Sequence, residues 1–169
     1  MNFIVKDDCH NCYTGDTDII PLSIDWREHG AVTEVKNQGD CCSCWSFSST
    51  GSIEGINAIT YKKLHNASEQ QLIDCSIFYG NLGCNGGLMD NAFEYATDHY
   101  MCSEENITYE ANSDMTFSEW FNCKSIIQLK GGADVTSNNQ AAIKLAVSRH
   151  TVPVAIEEEK IIMETKTSR

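Results

Sequence analysis

Apolar residues recur at helical spacing through the middle of the chain. From Cys44 to Thr60 they fall roughly three to four positions apart, which predicts a buried helix that begins at Cys44. Ser68 precedes Gln71 in a capping-box pattern, so a second, short helix is predicted to start there and to end at Cys75. The middle of the chain is therefore predicted to be helical.

The pattern changes in the second half of the chain. Residues 80–87 are rich in glycine and asparagine and predict a loop, after which a third helix is expected to end near His99. Apolar runs at 126–129, 141–147 and 152–156 predict a strand, a helix and a strand. Helices that cluster first, followed by strands, are typical of the α+β class rather than of alternating βαβ units.

The composition predicts a packed protein with an acidic surface. Of the 169 residues, 41% are hydrophobic, as in ordinary globular chains. Asp and Glu number 24 against 12 Lys and Arg, and the net charge of −12 argues against nucleic acid and anionic membranes as partners. No segment is apolar for long enough to span a membrane, and the first residues lack the apolar core of a signal peptide.

Cysteines and glycosylation sequons point to an oxidising environment. The chain has 9 cysteines, an odd number that leaves at least one thiol unpaired if the others form disulfides. Asn66 and Asn106 each begin an N-glycosylation sequon. Both features predict passage through the secretory route.

The segment from Gln38 to Trp45 carries the candidate chemistry. It places Cys44 in the first turn of a predicted helix, where unpaired N–H groups and the helix dipole stabilise a thiolate. The side-chain amide of Gln38 can return to the same place and donate to a developing oxyanion. A buried disulfide half beside a loop glutamine is the alternative that this spacing leaves open.

Several short motifs before residue 95 occur in a fixed order. They are Asp25-Trp26-Arg27, Val35-Lys36-Asn37-Gln38-Gly39, Ser43-Cys44-Trp45, Ser68-Glu69-Gln70-Gln71-Leu72 and Gly83-Cys84-Asn85-Gly86-Gly87-Leu88-Met89-Asp90. In order and spacing they resemble the papain-like cysteine peptidases, and Leu88-Met89 is most similar to cathepsin L. The resemblance covers roughly residues 20–158.

The resemblance implies a papain-like two-domain fold of the α+β class. Its helical left domain is expected to be essentially complete and its β-barrel right domain only partial. The implied division is an N-terminal extension over 1–19, an entry strand and helical domain over 20–124, part of the barrel over 125–158 and a divergent tail over 159–169. The extension is either a separate segment or the end of a pro-segment.

The resemblance also implies the site. Cys44 becomes the nucleophile and Gln38 the oxyanion-hole donor. The implied substrate-binding residues are Gly86, Gly87, Leu88, Met89 and Ala155. The glycine backbone would pair with an extended substrate, and the apolar side chains would form a pocket for the second residue before the scissile bond. Met89 as a plain core residue is the alternative, and no metal or organic cofactor is implied.

The family's disulfide pattern accounts for part of the cysteines. It pairs Cys41 with Cys84, and it pairs Cys75 with Cys123. Cys42 stands where the family usually has glycine, which puts a second thiol or an extra disulfide beside the cleft. The cysteines left without a predicted partner are Cys9, Cys12, Cys42 and Cys102.

A zinc site is a rival interpretation of four cysteines. Cys9 with Cys12 and Cys41 with Cys44 form two C-x2-C pairs. The chain between the pairs is longer than the roughly 15 to 20 residues of the common four-cysteine arrangement. This interpretation also leaves every papain-like motif unexplained, so we set it aside.

The general base is the missing part of the predicted site. A papain-like thiolate needs a histidine to move protons and an amide to orient the imidazole ring. In this family they follow the nucleophile by about 130 to 150 residues, which falls beyond Arg169. His150 is the only late histidine and is predicted to lie at a junction of helix and strand. The chain alone is therefore expected to be inactive.

Two functions stay open at this point. The first is a cysteine endopeptidase of the papain and cathepsin L class, which acts on proteins or peptides in lysosomes, vacuoles or outside the cell. Its expected inhibitors are cystatin-like proteins or a pro-segment. The second is a noncatalytic homologue that binds peptides or inhibitors as a decoy. A reading frame that continues past residue 157 into segments with His and Asn favours the enzyme, and a confirmed stop after Arg169 favours the decoy.

Overall fold

The computed structural model describes residues 20–113 and 123–156. Its helices are α1 (Cys44–Tyr61), α2 (Glu69–Cys75), α3 (Met89–Asp98) and α4 (Gln140–Arg149), and its strands are β1 (Met101–Cys102) and β2 (Ser125–Ile127). Short 3-10 turns cover Ser76–Tyr79 and Gly83–Asn85. The predicted extension over 1–19 and the tail over 159–169 lie outside the described residues. No helix in the described ranges is long and apolar enough to cross a membrane.

The predicted starts and ends of the central helices are confirmed. Helix α1 begins at Cys44, and α2 ends at Cys75. Ser68 caps α2 because its hydroxyl oxygen accepts a hydrogen bond from the N–H of Gln71 at 3.0 Å. The Gln71 side chain does not complete a capping box. It donates to the Tyr95 hydroxyl at 2.9 Å instead, which ties α2 to α3.

Helices α1, α2 and α3 pack around one hydrophobic core. Its main members are Trp45, Ile53, Leu72, Ile73, Ala92, Tyr95, Ala96 and Met101. Burying each large apolar side chain stabilises the fold by about 1.5–3 kcal/mol. Ile56 belongs to the same predicted apolar series of α1 but is 38% exposed. Much of the buried face of α1 is polar instead.

Strand β1 pairs with β2 in an antiparallel sheet, and this pairing corrects one predicted disulfide. Cys102 lies opposite Ser125, which brings Cys123 alongside it, and these two cysteines form a disulfide with Cα atoms 5.8 Å apart. The implied pairing of Cys75 with Cys123 is therefore wrong in this structure. Cys75 is a free, buried thiol at the end of α2, and burial raises its pKa.

The second half of the chain matches the sequence pattern only in part. Helix α4 (Gln140–Arg149) confirms the helix predicted at 141–147, and β2 covers part of the strand predicted at 126–129. The strand predicted at 152–156 is absent, because residues 151–156 have no regular secondary structure. A strand needs a neighbour to accept and donate its backbone hydrogen bonds, and the described residues supply none there.

The segment after α4 is attached to the middle of α1. The hydroxyl of Thr151 donates to the carbonyl of Ser52 at 3.2 Å, and the hydroxyl of Ser52 donates to the carbonyl of Thr151 at 3.2 Å. A Cβ on Gly55 would collide with the Thr151 side chain. This close approach explains a glycine inside a helix, where it otherwise costs about 1 kcal/mol.

A buried ion network joins the chain before α1 to two helices. The Lys36 ammonium contacts Glu54 at 2.9 Å and Glu69 at 2.7 Å, and both carboxylate side chains are 1% exposed. Thr33 donates to Glu54 at 2.7 Å, and Thr50 donates to Glu69 at 2.6 Å. Burial lowers the pKa of Lys36, but the hydrogen bonds and charges of the two glutamates outweigh it, and the net direction is upward.

Glu104 lies beside this network with one oxygen unsatisfied. Its Oε1 accepts from the N–H of Tyr109 at 2.7 Å, whereas its buried Oε2 has no hydrogen-bond partner. Burial raises the pKa of the Glu104 carboxyl, the N–H of Tyr109 and the charge of Lys36 lower it, and the charges of Glu69 and Glu54 raise it, with a net upward shift. The fold therefore favours the protonated form of Glu104 more than water does.

Replacing Lys36 by Met should destabilise the protein strongly. Lys36→Met leaves two buried carboxylates without their counter-ion, which costs about 3–5 kcal/mol in comparable buried pairs. Urea unfolding followed by tryptophan fluorescence measures the loss. The control is Arg27→Met, which removes a solvent-exposed partner of Asp25 and should change stability little. Equal losses in both variants would contradict a special role for the buried network.

Replacing Glu104 by Gln should stabilise the protein at neutral pH but not in acid. A raised folded-state pKa contributes stability that is present below the unfolded value of 4.5 and is lost as pH rises through the folded value. Glu104→Gln removes the charge that the fold disfavours, so its urea midpoint should exceed that of the parent at about pH 7 and match it at about pH 4. The control is exposed Glu105→Gln. A gain of the same size at both pH values would refute this assignment.

Candidate active site

Cys44 is the first residue of α1, and its thiol is exposed and free. Ser43 occupies the N-cap position, but its hydroxyl makes no bond to the helix and instead lies 2.8 Å from the Tyr109 hydroxyl. The N–H groups of Cys44 and Trp45 therefore have no protein acceptor in the part of the chain that the structure describes. Unpaired N–H groups at a helix N-terminus attract negative charge. The position suits a thiolate.

Gln38 lies beside the loop that leads into α1. Its side-chain Nε2 donates to the carbonyl of Cys41 at 3.0 Å, which uses one of its two hydrogens. Its backbone carbonyl accepts a hydrogen bond from the Tyr109 hydroxyl at 2.5 Å. Gly39 turns the chain with a φ of 59°, so Gln38 folds back toward Cys41. The amide keeps one hydrogen for another acceptor near the start of α1.

Three links hold the loop before α1 against a second loop. Cys41 and Cys84 form the disulfide that the resemblance implies, with Cα atoms 4.7 Å apart. The N–H of Cys42 donates to the carbonyl of Cys84 at 3.1 Å. The indole N–H of Trp45 donates to the carbonyl of Gly83 at 3.3 Å. The residues on either side of Cys44 are therefore fixed to the loop at 83–84.

Gly86 and Gly87 continue this second loop past the tryptophan ring. Gly86 has φ 109° and ψ 176°, a conformation that is essentially restricted to glycine. A Cβ on Gly87 would lie 2.8 Å from the ring of Trp45 and 2.5 Å from Oδ1 of Asn81. The same Asn81 oxygen accepts the N–H of Leu88 at 2.8 Å. The structure thus brings the predicted glycines to the residue next to Cys44.

The three predicted pocket residues differ in how far they are exposed to solvent. Leu88 is 40% exposed beside Gly87. Met89 is half-buried and packs against the hydrophobic core, which agrees with its alternative interpretation. Ala155 is exposed in the segment after α4.

No described histidine reaches Cys44 by a hydrogen bond. His150 ends α4, and the adjoining Thr151 is bonded to Ser52. Ser52 is eight residues along α1 from Cys44, or about 12 Å at the rise of an α-helix. His150 is a junction residue, as the sequence predicted, and not a partner of the thiol.

The zinc alternative is contradicted by the disulfide. Cys41 is bonded to Cys84 and cannot supply a thiolate to a metal. Cys9 and Cys12 lie outside the described residues. Within the described ranges, no group of three or more His, Cys, Asp and Glu side chains could hold a metal ion.

Sequence reasoning missed two residues that shape the site. Tyr109 bonds both Ser43 and Gln38, and its ring packs edge-on against Phe47 with centroids 4.8 Å apart. Asn81 is fully buried under the glycine loop. Nothing local marks Tyr109, because it lies 66 residues from Ser43. The asparagine-rich composition of residues 80–87 was a usable signal for Asn81.

Comparisons with known proteins agree with this geometry. Residues 20–167 match the model for papain family cysteine protease. The chain is 48% identical over 131 residues to cathepsin L of Sarcophaga peregrina, which covers 76% of the chain and 38% of that protein.

Solved structures agree as well. Digestive procathepsin L 3 of Tenebrio molitor is 41% identical with a TM-score of 0.75, over 83% of the chain and 46% of that structure. A cysteine protease of Carica candamarcensis in complex with E-64 is 36% identical with a TM-score of 0.72, over 78% of the chain and 60% of that structure. The chain spans about two fifths of the length of the curated relatives it matches.

Replacing Gly87 by Ala should disturb the loop beside Cys44. The new methyl group would press on the Trp45 ring and on Asn81, and overpacking of this kind costs about 1–3 kcal/mol. Urea unfolding measures this cost. The matched control is Gly51→Ala, on an open face of α1, which should gain up to about 1 kcal/mol of stability. A neutral or stabilising Gly87→Ala would show that the close contact with Trp45 is not maintained in solution.

Proposed function

The chain belongs to the papain family of cysteine proteases, and we propose that it carries the nucleophile and oxyanion-binding part of a cathepsin L-like endopeptidase site. The observation that carries the proposal is the exposed, free thiol of Cys44 at an uncapped helix N-terminus. The amide of Gln38 donates to the carbonyl of Cys41, three residues before Cys44. A disulfide half or a core cysteine would need neither arrangement.

In the proposed reaction, the Cys44 thiolate attacks the carbonyl carbon of a peptide bond. The electron pair of the carbonyl moves to oxygen, and the oxyanion accepts hydrogen bonds from Gln38 and from the first N–H groups of α1. Loss of one such donor lowers kcat by about 10²–10³-fold in other peptidases. The backbone at Gly86 and Gly87 would hold the extended substrate, with Leu88, Met89 and Ala155 around an apolar side chain of the substrate.

The general base in this proposal is a histidine outside the described residues. It would accept the thiol proton and later protonate the leaving amine. No described histidine is bonded to Cys44, and His150 adjoins Thr151, which is bonded to Ser52 in the middle of α1. Turnover therefore requires chain beyond the part that places the nucleophile. The noncatalytic alternative has no observation of its own in its favour.

We also propose an oxidising compartment for the mature protein, lysosomal, vacuolar or extracellular. The disulfides at Cys41 and at Cys102 support it, and so do the exposed asparagines of the two glycosylation sequons, Asn66 and Asn106. Protein or peptide substrates would be the partners. A pro-segment or a cystatin-like protein that fills the cleft would be the inhibitor.

Labelling with a peptidyl epoxide of the E-64 type tests the assignment of the nucleophile. We expect one epoxide per chain, attached to Cys44, because its thiol is exposed and free at the N-terminus of α1. Peptide mapping by mass spectrometry identifies the alkylated cysteine. The same polypeptide of residues 1–169 is expected not to release fluorophore from a dipeptide amide ending in Arg, since no described histidine reaches the thiol.

Two variants make this test decisive. Cys44→Ala should abolish labelling, whereas the matched variant Cys42→Ser should retain it, because both thiols are exposed and only one begins the helix. Preferential alkylation of Cys42 would overturn the site assignment. Turnover that disappears in Cys44→Ala would refute the expectation that residues 1–169 are inactive on their own.

A further inference from the structure

Buried and exposed side chains alternate where the chain enters α1. Cys41, Ser43 and Trp45 are 3%, 0% and 2% exposed, whereas Cys42 and Cys44 are both exposed free thiols. Cys42 and Cys44 are therefore two exposed free thiols separated in sequence by one buried residue.

Their spacing suits a direct bond between the two sulfurs. Ser43 has φ −104° and ψ 15°, a turn-like conformation that keeps its neighbours close. Residues two apart have Cα atoms about 5.4 Å apart in a helix and about 6.8 Å apart in an extended strand. Disulfides need Cα atoms roughly 4.4–6.8 Å apart. The Cα separation of Cys42 and Cys44 therefore lies within the reach of a disulfide.

The other described cysteines cannot serve as partners of Cys44. Cys41 is already bonded to Cys84, and Cys102 is bonded to Cys123. Cys75 is free but buried among α2 and α3, and burial raises its pKa, so it offers little thiolate. Cys42 is the one other exposed free thiol of the described ranges.

We propose that Cys42 is a resolving cysteine for Cys44, so that hydroperoxides convert the pair reversibly into a Cys42–Cys44 disulfide. The proposal rests on the proposed function in one respect, the nucleophilic character of Cys44. Its consequence is a peptidase site that oxidation closes and a dithiol reopens.

The two steps balance as a two-electron oxidation. The Cys44 thiolate attacks the distal oxygen of a hydroperoxide, an S–O bond forms, the O–O bond breaks, and the alkoxide or hydroxide that leaves takes up a proton. The Cys42 thiolate then attacks the sulfur of the sulfenic acid, an S–S bond forms, the S–O bond breaks, and the leaving hydroxide becomes water. Two thiols and one hydroperoxide thus give a disulfide, one alcohol or water, and one further water.

Resolution by Cys42 protects Cys44 from irreversible damage. A sulfenic acid without a nearby thiol is oxidised further to sulfinic acid, which ordinary dithiols do not reverse. A disulfide that closes so short a loop is strained and exposed, and such bonds are reduced readily. A glycine at position 42 would offer no such protection.

Differential alkylation of the full chain tests the proposal. Native protein is treated with hydrogen peroxide, denatured, alkylated with N-ethylmaleimide, reduced, and alkylated again with the deuterated reagent. Tandem mass spectrometry then assigns one label to each cysteine. We expect Cys42 and Cys44 to move together to the deuterated label, with the intact mass before alkylation lower by two hydrogens, while Cys75 keeps the first label. After dithiothreitol, both thiols should return fully to the first label.

Two variants decide between resolution and simple oxidation. In Cys42→Ser, Cys44 should gain two oxygens as sulfinic acid, and its recovery by dithiothreitol should be lost. The matched control Cys75→Ser, which removes a buried thiol, should behave as the parent does. Equal recovery in Cys42→Ser and the parent would overturn the proposal. So would the appearance of the first label on Cys41 or Cys84, which indicates exchange with the existing disulfide, or a disulfide-linked dimer on a nonreducing gel.

This outcome is separable from the proposed function. Epoxide labelling of the reduced protein reports the nucleophile, whereas the paired loss of Cys42 and Cys44 reports the disulfide. If the epoxide attaches to Cys44 but Cys42 and Cys44 do not lose the first label together, only the resolving role of Cys42 is refuted. If both cysteines lose the first label together but no epoxide attaches, the disulfide stands and the peptidase assignment is refuted.

Discussion

The link between the loop before α1 and the glycine loop is the constraint on which the site depends. Cys44 begins a helix, and helix ends fray unless something fixes them. Here the Cys41–Cys84 disulfide closes 43 residues, which in the chain-entropy model is worth about 4 kcal/mol. The Trp45 ring fills the space left by the missing side chain of Gly87. The residues flanking Cys44 are thus fixed, and the thiol between them is left exposed.

A second constraint acts before the helix, and it is electrostatic. Residues 32–37 have no regular secondary structure, so their own backbone bonds do not place them. Lys36 reaches Glu54 on α1 and Glu69 on α2, and these bonds have direction, unlike hydrophobic contacts. Gln38 follows two residues later. The polar buried face of α1 therefore helps to position the segment that carries Gln38, while its apolar residues hold the core.

Local features could be predicted from the sequence, and long-range pairings could not. The start of α1 at Cys44, the Ser68 cap and the end of α3 at Asp98 depend on neighbouring residues, and each was predictable. The partner of Cys123 depends on how β1 and β2 align, which no spacing reveals. Tyr109 acts across 66 residues and left no local signal. The strand at 152–156 failed because alternation of apolar residues cannot supply a neighbouring strand.

The described residues position Cys44, the candidate nucleophile, but supply no general base for it. Everything that positions Cys44 lies within the described residues, whereas no histidine there is bonded to it. An exposed, free thiol at a helix N-terminus, with no described histidine bonded to it, is open to oxidants. Residue 42 is two positions from this thiol, so its identity matters more than that of other surface residues. Its backbone N–H only repeats the loop contact to Cys84, which a glycine could make equally well. What the cysteine adds is a second exposed sulfur two residues from Cys44.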